Sequence, residues 1–435
     1  MHPDHNRASD GGRAALRKAL PIVFLVVIAW TTAEGTLYLL YSPYLAGYGY
    51  TLSSIGALYS LFALLRLTSR VPVGMAYRPA RAKVQIATSL AALAFTTGGF
   101  AVVRGNPVAI ALLTLAQGFA VGAVGTLLFA AVIDLTRGRY AAALMGWYTA
   151  ALSTGYSLGA FAGGWLGDTL GAPLAFVVAG ALPLASVLAI LALPPVGEPG
   201  PHRTRISGVS GLVLAAAKLD VRVWLAFAMM VYINGLHDSV DTFFPLFALS
   251  VGLPLTAIGV LKGLKSVGST AIRFVSGIAL YYLDYRSINV WAIILAAVAA
   301  FFVPWFSGFG AFAALFVAAG LARGILRVTS AAMVAELRGE GQDIGLASGI
   351  YSSGLDLGGI VGPAVGGVLG NVLGLPAMFQ ILALSSVVAY FAVVLSSAAG
   401  RASLRFGFRA PAHRPPSGLH SRNPVIRREG NGGGK

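Results

Sequence analysis

The chain has 435 residues, 57% hydrophobic and only 11% charged, with a mean hydropathy of +0.78. A soluble chain would carry about 25% charged residues, so this composition excludes one or two soluble domains and implies an integral membrane protein. The absence of cysteine excludes disulfides, thiol chemistry and thiolate metal sites, and the net charge of +16 sits in loops and tails beside apolar spans, where membrane topology explains it without nucleic acid.

Residues 1–18 are polar, carry Arg7, Arg13, Arg17 and Lys18, and read as a cytoplasmic N-terminal segment. The apolar run from Ala19 to Leu45 is too long for a signal peptide and lacks a persuasive cleavage site, so it reads as the first membrane helix. Further apolar stretches, each long enough to cross a hydrocarbon core of about 30 Å, predict helices 2 to 6 at 52–76, 84–103, 107–134, 141–166 and 173–194. These make an N-terminal six-helix bundle, 19–194. Residues 195–221 form a polar, Pro/Gly-rich cytoplasmic linker. Helices 7 to 12 follow at 222–250, 254–281, 287–306, 309–336, 342–369 and 375–398, a second bundle over 222–398. The tail, 399–435, holds eight Lys/Arg among Pro and Gly and is expected to be disordered at the membrane surface.

The loops orient these helices. Those after helices 2, 4, 6, 8 and 10 contain Arg78, Arg81, Lys83, Arg137, Arg139, Arg203, Arg205, Lys218, Arg286 and Arg338, whereas the alternate loops are nearly bare of bases apart from Arg104. The positive-inside rule then puts both termini in the cytoplasm of a cell whose inner membrane the chain spans, with an even number of helices. Twelve satisfy it.

The chain is internally duplicated. Gly349, Gly358, Gly362-Pro363 and Gly366-Gly367 repeat, 203 residues later, the array Gly146, Gly155, Gly159-Ala160 and Gly163-Gly164. The match continues from Gly167–Phe176 to Gly370–Phe379 and recurs in Leu52–Leu58 and Leu255–Leu261, while Arg70 and Gly74 align with Arg273 and Gly277. Glycine at four-residue spacing on an apolar helix lets another helix approach backbone to backbone. Two six-helix halves joined by a cytoplasmic linker are the layout of a transporter built from parallel repeats.

With these motifs the chain resembles the major facilitator superfamily of transporters over residues 19–398. The arrays in helices 5 and 11 are similar to that family's antiporter-associated pattern, with Ala160 in place of the proline in the first copy. The segment Gly74–Arg81, with Arg78 and Arg81, resembles the family's loop motif between helices 2 and 3, although Tyr77 stands where Asp is usual and Ala80 where Gly is usual. Helix 4 keeps Gln117-Gly118 but has Thr114 where many proton-coupled exporters have Arg. The resemblance implies an all-α membrane fold of twelve helices in two pseudo-symmetric halves. It also implies lipid-facing helices 3, 6, 9 and 12, and these carry no charge in their middles.

The remaining helices bury Glu34, Arg66, Asp238, Asp241, Lys262, Lys265, Arg323, Arg327 and Asp356. A charge in mid-membrane costs about 3 kcal/mol on insertion scales unless it meets water or a partner, so these nine line a cavity or pair with one another. Matching depths suggest Asp238 with Lys265, Asp241 with Lys262 and Asp356 with Arg323. They serve as sites for substrate or proton, as internal ion pairs, or as both. Lys262 and Lys265 share a helix face and are suited to meet an anion, with Arg323 and Arg327 opposite. Glu34, a lone acid in helix 1, is a candidate proton carrier; the alternative is a structural acid paired with Arg66. His237 is a candidate proton relay or a structural partner of Asp238. Asp134 and Glu336 read as gate charges at cytoplasmic helix ends, with Arg70 and Arg273 beside them or snorkelling.

No phosphate-binding loop ends in Lys-Ser/Thr, and no His/Asp/Glu cluster has catalytic metal spacing. Neither an enzyme nor a cofactor is expected. The reading is a monomeric secondary transporter for a small molecule, coupled to protons and favouring export. Uptake of an organic anion or zwitterion, and a receptor on the same fold, are the alternatives.

Overall fold

The computed structural model of the chain describes residues 4–135, 141–192, 219–282, 285–335 and 344–396, and every regular element among them is helical. Helices α1 (Asp4–Gly47), α2 (Leu52–Ala76), α3 (Ala82–Gly99) and α4 (Pro107–Leu135) precede a helical run, Ala141–Leu191. That run is two helices meeting at Gly171, whose φ of 78° and ψ of 160° lie outside helical space; its arms, 141–170 and 172–191, are α5 and α6. Then come α7 (Val221–Ser250), α8 (Leu255–Tyr282), α9 (Tyr285–Phe301), α10 (Phe309–Ala335), α11 (Ile344–Leu373) and α12 (Leu375–Ser396). Among the described residues, eight runs are long and apolar enough to cross a membrane, the run holding α5 and α6 counting as one. The predicted linker up to residue 218 and the tail lie outside the described residues.

Helix α1 begins at Asp4 rather than at residue 19, so the segment expected to be a polar leader adds about four turns to it. Ala14-Ala15-Leu16-Arg17-Lys18-Ala19 are all good helix formers, and nothing between them and the apolar run ends a helix.

The duplication is written into the turns. Gly49 and Gly252 have φ of 80° and 88°, and Gly171 and Gly374 have φ of 78° and 85°. Each pair is separated by the same 203 residues as the glycine arrays. Only glycine takes these left-handed angles without strain.

Packing makes the molecule a V. A single apolar core joins both halves at one end: Leu39, Leu40 and Leu45 of α1 share it with Phe243, Phe244 and Phe247 of α7, Phe312 of α10 and Phe379 of α12. At the other end the core divides in two. Val26, Val27, Leu128 and Val132 belong to a cluster of the first half, and Val223, Met230, Ile293 and Leu326 to one of the second.

Glycine closes the joined end. A Cβ on Gly56 of α2 would lie 2.1 Å from the Pro363 carbonyl oxygen of α11, and one on its repeat mate Gly259 of α8 would lie 2.3 Å from that of Ala160 in α5. Likewise a Cβ on Gly367 would lie 2.5 Å from the Leu52 carbonyl oxygen, and one on Gly164 would lie 2.3 Å from that of Leu255. The two contacts, α2 on α11 and α8 on α5, are pseudo-symmetric copies of one another. Gly155, Gly159 and Gly163 do something else, packing on Ile28, Thr32 and Thr36 of α1 within the first half. Gly358, Gly362 and Gly366 pack in the same way on Val231, Gly235 and Phe243 of α7. The outer members, Gly146 and Gly349, are exposed and a Cβ on either would meet nothing within 4 Å. The array therefore has two faces: Gly155, Gly159 and Gly163, with Gly358, Gly362 and Gly366, bind each half internally, while Ala160 and Gly164, with Pro363 and Gly367, meet the other half.

One polar contact reinforces the seal. Asp168, at the end of α5, accepts hydrogen bonds from Leu255 N (3.0 Å), Thr256 N (2.7 Å) and Thr256 Oγ1 (2.6 Å). Helix α8 follows Pro254, which has no side chain to cap it, and its orphan N–H groups are satisfied from the other half. Its repeat mate α2 is capped instead by its own Thr51, which accepts from Ser54 N at 3.2 Å.

Candidate central cavity

Between the halves, beneath the seal, lies a cavity of about 320 Å³. Eight of the nine predicted charges besides Asp356 line it, namely Glu34, Arg66, Asp238, Asp241, Lys262, Lys265, Arg323 and Arg327, and Asp356 completes the set. All nine thus face one cavity. The sequence reading missed Arg70 and Arg273, which line the cavity too and do not snorkel at the helix ends. The side chains of Asp134 and Glu336, their expected partners, lie outside the described residues.

The pairings differ from those that depth suggested. Asp356 of α11 is held by Arg66 (3.4 Å) and Arg70 (2.7 Å), both of α2, so the ion pair spans the halves. Lys265 Nζ lies 2.7 Å from Asp241 Oδ1, and Lys262 Nζ donates to the Asp241 backbone carbonyl at 2.9 Å. Arg323 is only distantly paired, 3.9 Å from Asp241 Oδ2. Depth along a helix cannot choose among these because one helical turn separates alternative partners, and packing sets the rotation that decides.

Glu34, fully buried on α1, is not paired with Arg66. Its Oε2 accepts from the Tyr156 hydroxyl of α5 at 2.5 Å, while Oε1 is buried with no partner among the described residues. Tyr156 was absent from the predicted site; its place between Gly155 and Gly159 was the available signal, since glycine on both sides lets α5 approach α1 and carries the ring inward. Tyr38 and Asn234 also line the cavity, and the Lys262 ammonium lies 5.8 Å from the centre of the Tyr38 ring, a cation–π contact across the halves.

His237 does not join this site. It is buried one step around α7 from Asp238 and lines a separate small cavity with Lys265, Val240 and Phe316, inside the second half. Successive helical residues point about 100° apart, so the face that brings Asp238 and Asp241 to the centre turns His237 away.

The loop motif lies at the open end of the V. Gln85 of α3 accepts from Arg78 N (3.0 Å) and donates to the Ala76 carbonyl (2.7 Å), pinning the turn after α2. Arg78 and Arg81 are exposed there, and a Cβ on Gly74 would make ordinary contact with Thr126. Among the described residues no group of His, Asp and Glu is placed to hold a metal.

A duplicated helical fold with a charged cavity between its halves, closed at one end and parted at the other, defines the class of membrane transporters. The sequence profile of the Major Facilitator Superfamily matches residues 19–311 and 282–426, and the chain belongs to that family. No curated protein matches it. Among solved structures it is similar to a mutant of the nucleoside transporter NupG, with a TM-score of 0.74 at 17% identity over 86% of this chain and 99% of that one. It is also similar to a bacterial homologue of the human lysosomal transporter Spinster in an inward-facing, unoccupied conformation, with a TM-score of 0.70 at 14% identity over 89% of this chain and 97% of that one.

Proposed function

We propose that this chain is a secondary active transporter of twelve spans that carries a small solute by alternating access, coupled to protons through Glu34 and favouring export. The carrying observation is the pairing of a solute-sized cavity between movable halves with a buried carboxylate inside it, one of whose oxygens has no partner. The basic loop after α2, with Arg78 and Arg81, lies at the parted end, so the positive-inside rule turns that end to the cytoplasm, with both termini there. The state described is then inward-facing, and the glycine seal closes the far side. Transport requires the seal to open and the other end to close. Export rests on the resemblance of the α5 and α11 arrays to antiporter motifs. No residue is assigned a catalytic role, and the working unit is a monomer.

Glu34 and Tyr156 link the proton to this cycle. The hydroxyl donates to an ionised carboxylate, and protonation removes the charge that orients it. Because α1 and α5 are packed together through Gly155 and Gly159, a change at Glu34 is felt at the helix that bears half of the seal. The test is flux in proteoliposomes. Glu34→Gln abolishes flux driven by a pH gradient while solute exchange without a gradient persists; gradient-driven flux at the parent rate in Glu34→Gln refutes the coupling.

A further inference from the structure

The cavity holds more positive charge than its acids neutralise. Arg66, Arg70, Lys262, Lys265, Arg273, Arg323 and Arg327 face it against Glu34, Asp238, Asp241 and Asp356, seven bases to four acids. The excess is two even when Arg273 is left out. Most of the bases are accounted for within the protein: Arg66 and Arg70 by Asp356, Lys265 by the Asp241 carboxylate, and Lys262 by the Asp241 carbonyl and the Tyr38 ring. The two lysines expected to meet an anion thus already have partners within the protein.

The α10 arginines are different. Among the described residues the Arg327 side chain has no hydrogen bond or ion pair, and its Nε is buried without an acceptor. Arg323 has a buried Nε in the same condition, and its one carboxylate, at 3.9 Å, is already bound at 2.7 Å by Lys265. The two are four residues apart on one helix, so they share a face and their guanidinium groups are neighbours. Like charges this close repel, and the repulsion grows as water is excluded. Asp238 lies near enough to act on both electrostatically, with no ion pair to either among the described residues, and one carboxylate balances only one of them.

We infer that Arg323 and Arg327 form the binding site for the dianionic head of the transported solute, a phosphate monoester or a dicarboxylate. The guanidinium fork suits both, since each N–H pair meets two oxygens of one oxyanion. Two adjacent forks meet the oxygens of such a head, and the cavity's wider excess of bases adds to the one charge that Asp238 leaves unbalanced between them. At about 30 Å³ per water the cavity holds about ten waters, room for a sugar phosphate or a short diacid. Glu34 and Tyr156 lie on the opposite wall, in the first half.

This rests on the transport reading, and the experiment separates the two. Thermal shift and isothermal titration are run on the purified full chain at low ionic strength with inorganic phosphate, glucose 6-phosphate and succinate, with glucose and choline as neutral and cationic controls. The expected result is saturable stabilisation by at least one dianion and by neither control, weakened at least tenfold in Arg327→Gln and in Arg323→Gln. Arg327→Lys, which keeps the charge and loses the fork, retains measurable but weaker binding and guards against misfolding. Stabilisation by glucose 6-phosphate without succinate assigns a phosphoryl head, and the converse a dicarboxylate. Binding at parent strength in monodisperse Arg327→Gln overturns the site, as does stabilisation by glucose or choline with no response to any dianion. Dianion binding without flux in proteoliposomes keeps the site and overturns transport; flux of an uncharged solute alone does the reverse.

Discussion

Asp168 is the most direct handle on the conformational equilibrium. Its carboxylate accepts three hydrogen bonds from the first turn of α8, across the halves, at 2.6–3.0 Å. In the opened state those groups are returned to water. Replacing a helix cap by alanine costs about 1 kcal/mol, and losing a carboxylate at a helix N-terminus costs roughly a further 0.3–1 kcal/mol. Adding the hydroxyl bond, worth about 0.5–1.5 kcal/mol net, and discounting for solvent exposure at Asp168, the closed seal loses about 2 kcal/mol. At 1.4 kcal/mol per factor of ten, the ratio of open to closed seal rises about 30-fold in Asp168→Ala. The chain has no cysteine, so spin labels can be placed without background. Leu170 and Leu249, both exposed at the sealed end, are suitable sites for Leu170→Cys and Leu249→Cys, and pulsed electron resonance reads their separation. Asp168→Ala should add a longer distance to the distribution. Identical distributions with and without Asp168 would refute its role as an inter-half cap.

The glycines divide into two kinds that should respond differently. Gly164→Ala and Gly367→Ala place a methyl against the opposite half's backbone and should raise labelling of cysteines at the sealed end severalfold with little loss of thermal stability. Gly362→Leu strikes Gly235 within one half, so it should lower stability, by about 1–3 kcal/mol in the manner of an overpacked core, rather than merely block interconversion; a melting curve beside the labelling assay separates the two. Asp356→Asn leaves Arg66 and Arg70 without their common carboxylate and should weaken the α2–α11 contact, seen as a longer label distance between those helices at the parted end. An unchanged distance there would show the ion pair to be incidental.

Much of this was legible in the sequence because it depends on one-dimensional properties. Apolar length set the helices, and the 203-residue repeat marked segments that meet in pseudo-symmetric pairs. That the nine buried charges line a cavity or pair with one another also followed, since a charge in hydrocarbon must find water or a partner. Tertiary structure alone decided who pairs with whom. Spacing of three or four residues tells which side chains share a face but not which helix that face meets, so Asp241 took Lys265, Asp356 took Arg66 and Arg70, and Glu34 took Tyr156. The same rotation removed His237 from the centre while keeping its neighbour Asp238 there. It also assigned Gly362 to its own half and Gly367, five residues on, to the other. Periodicity is a property of one helix, and a binding site is a property of the angles at which several helices are turned toward each other.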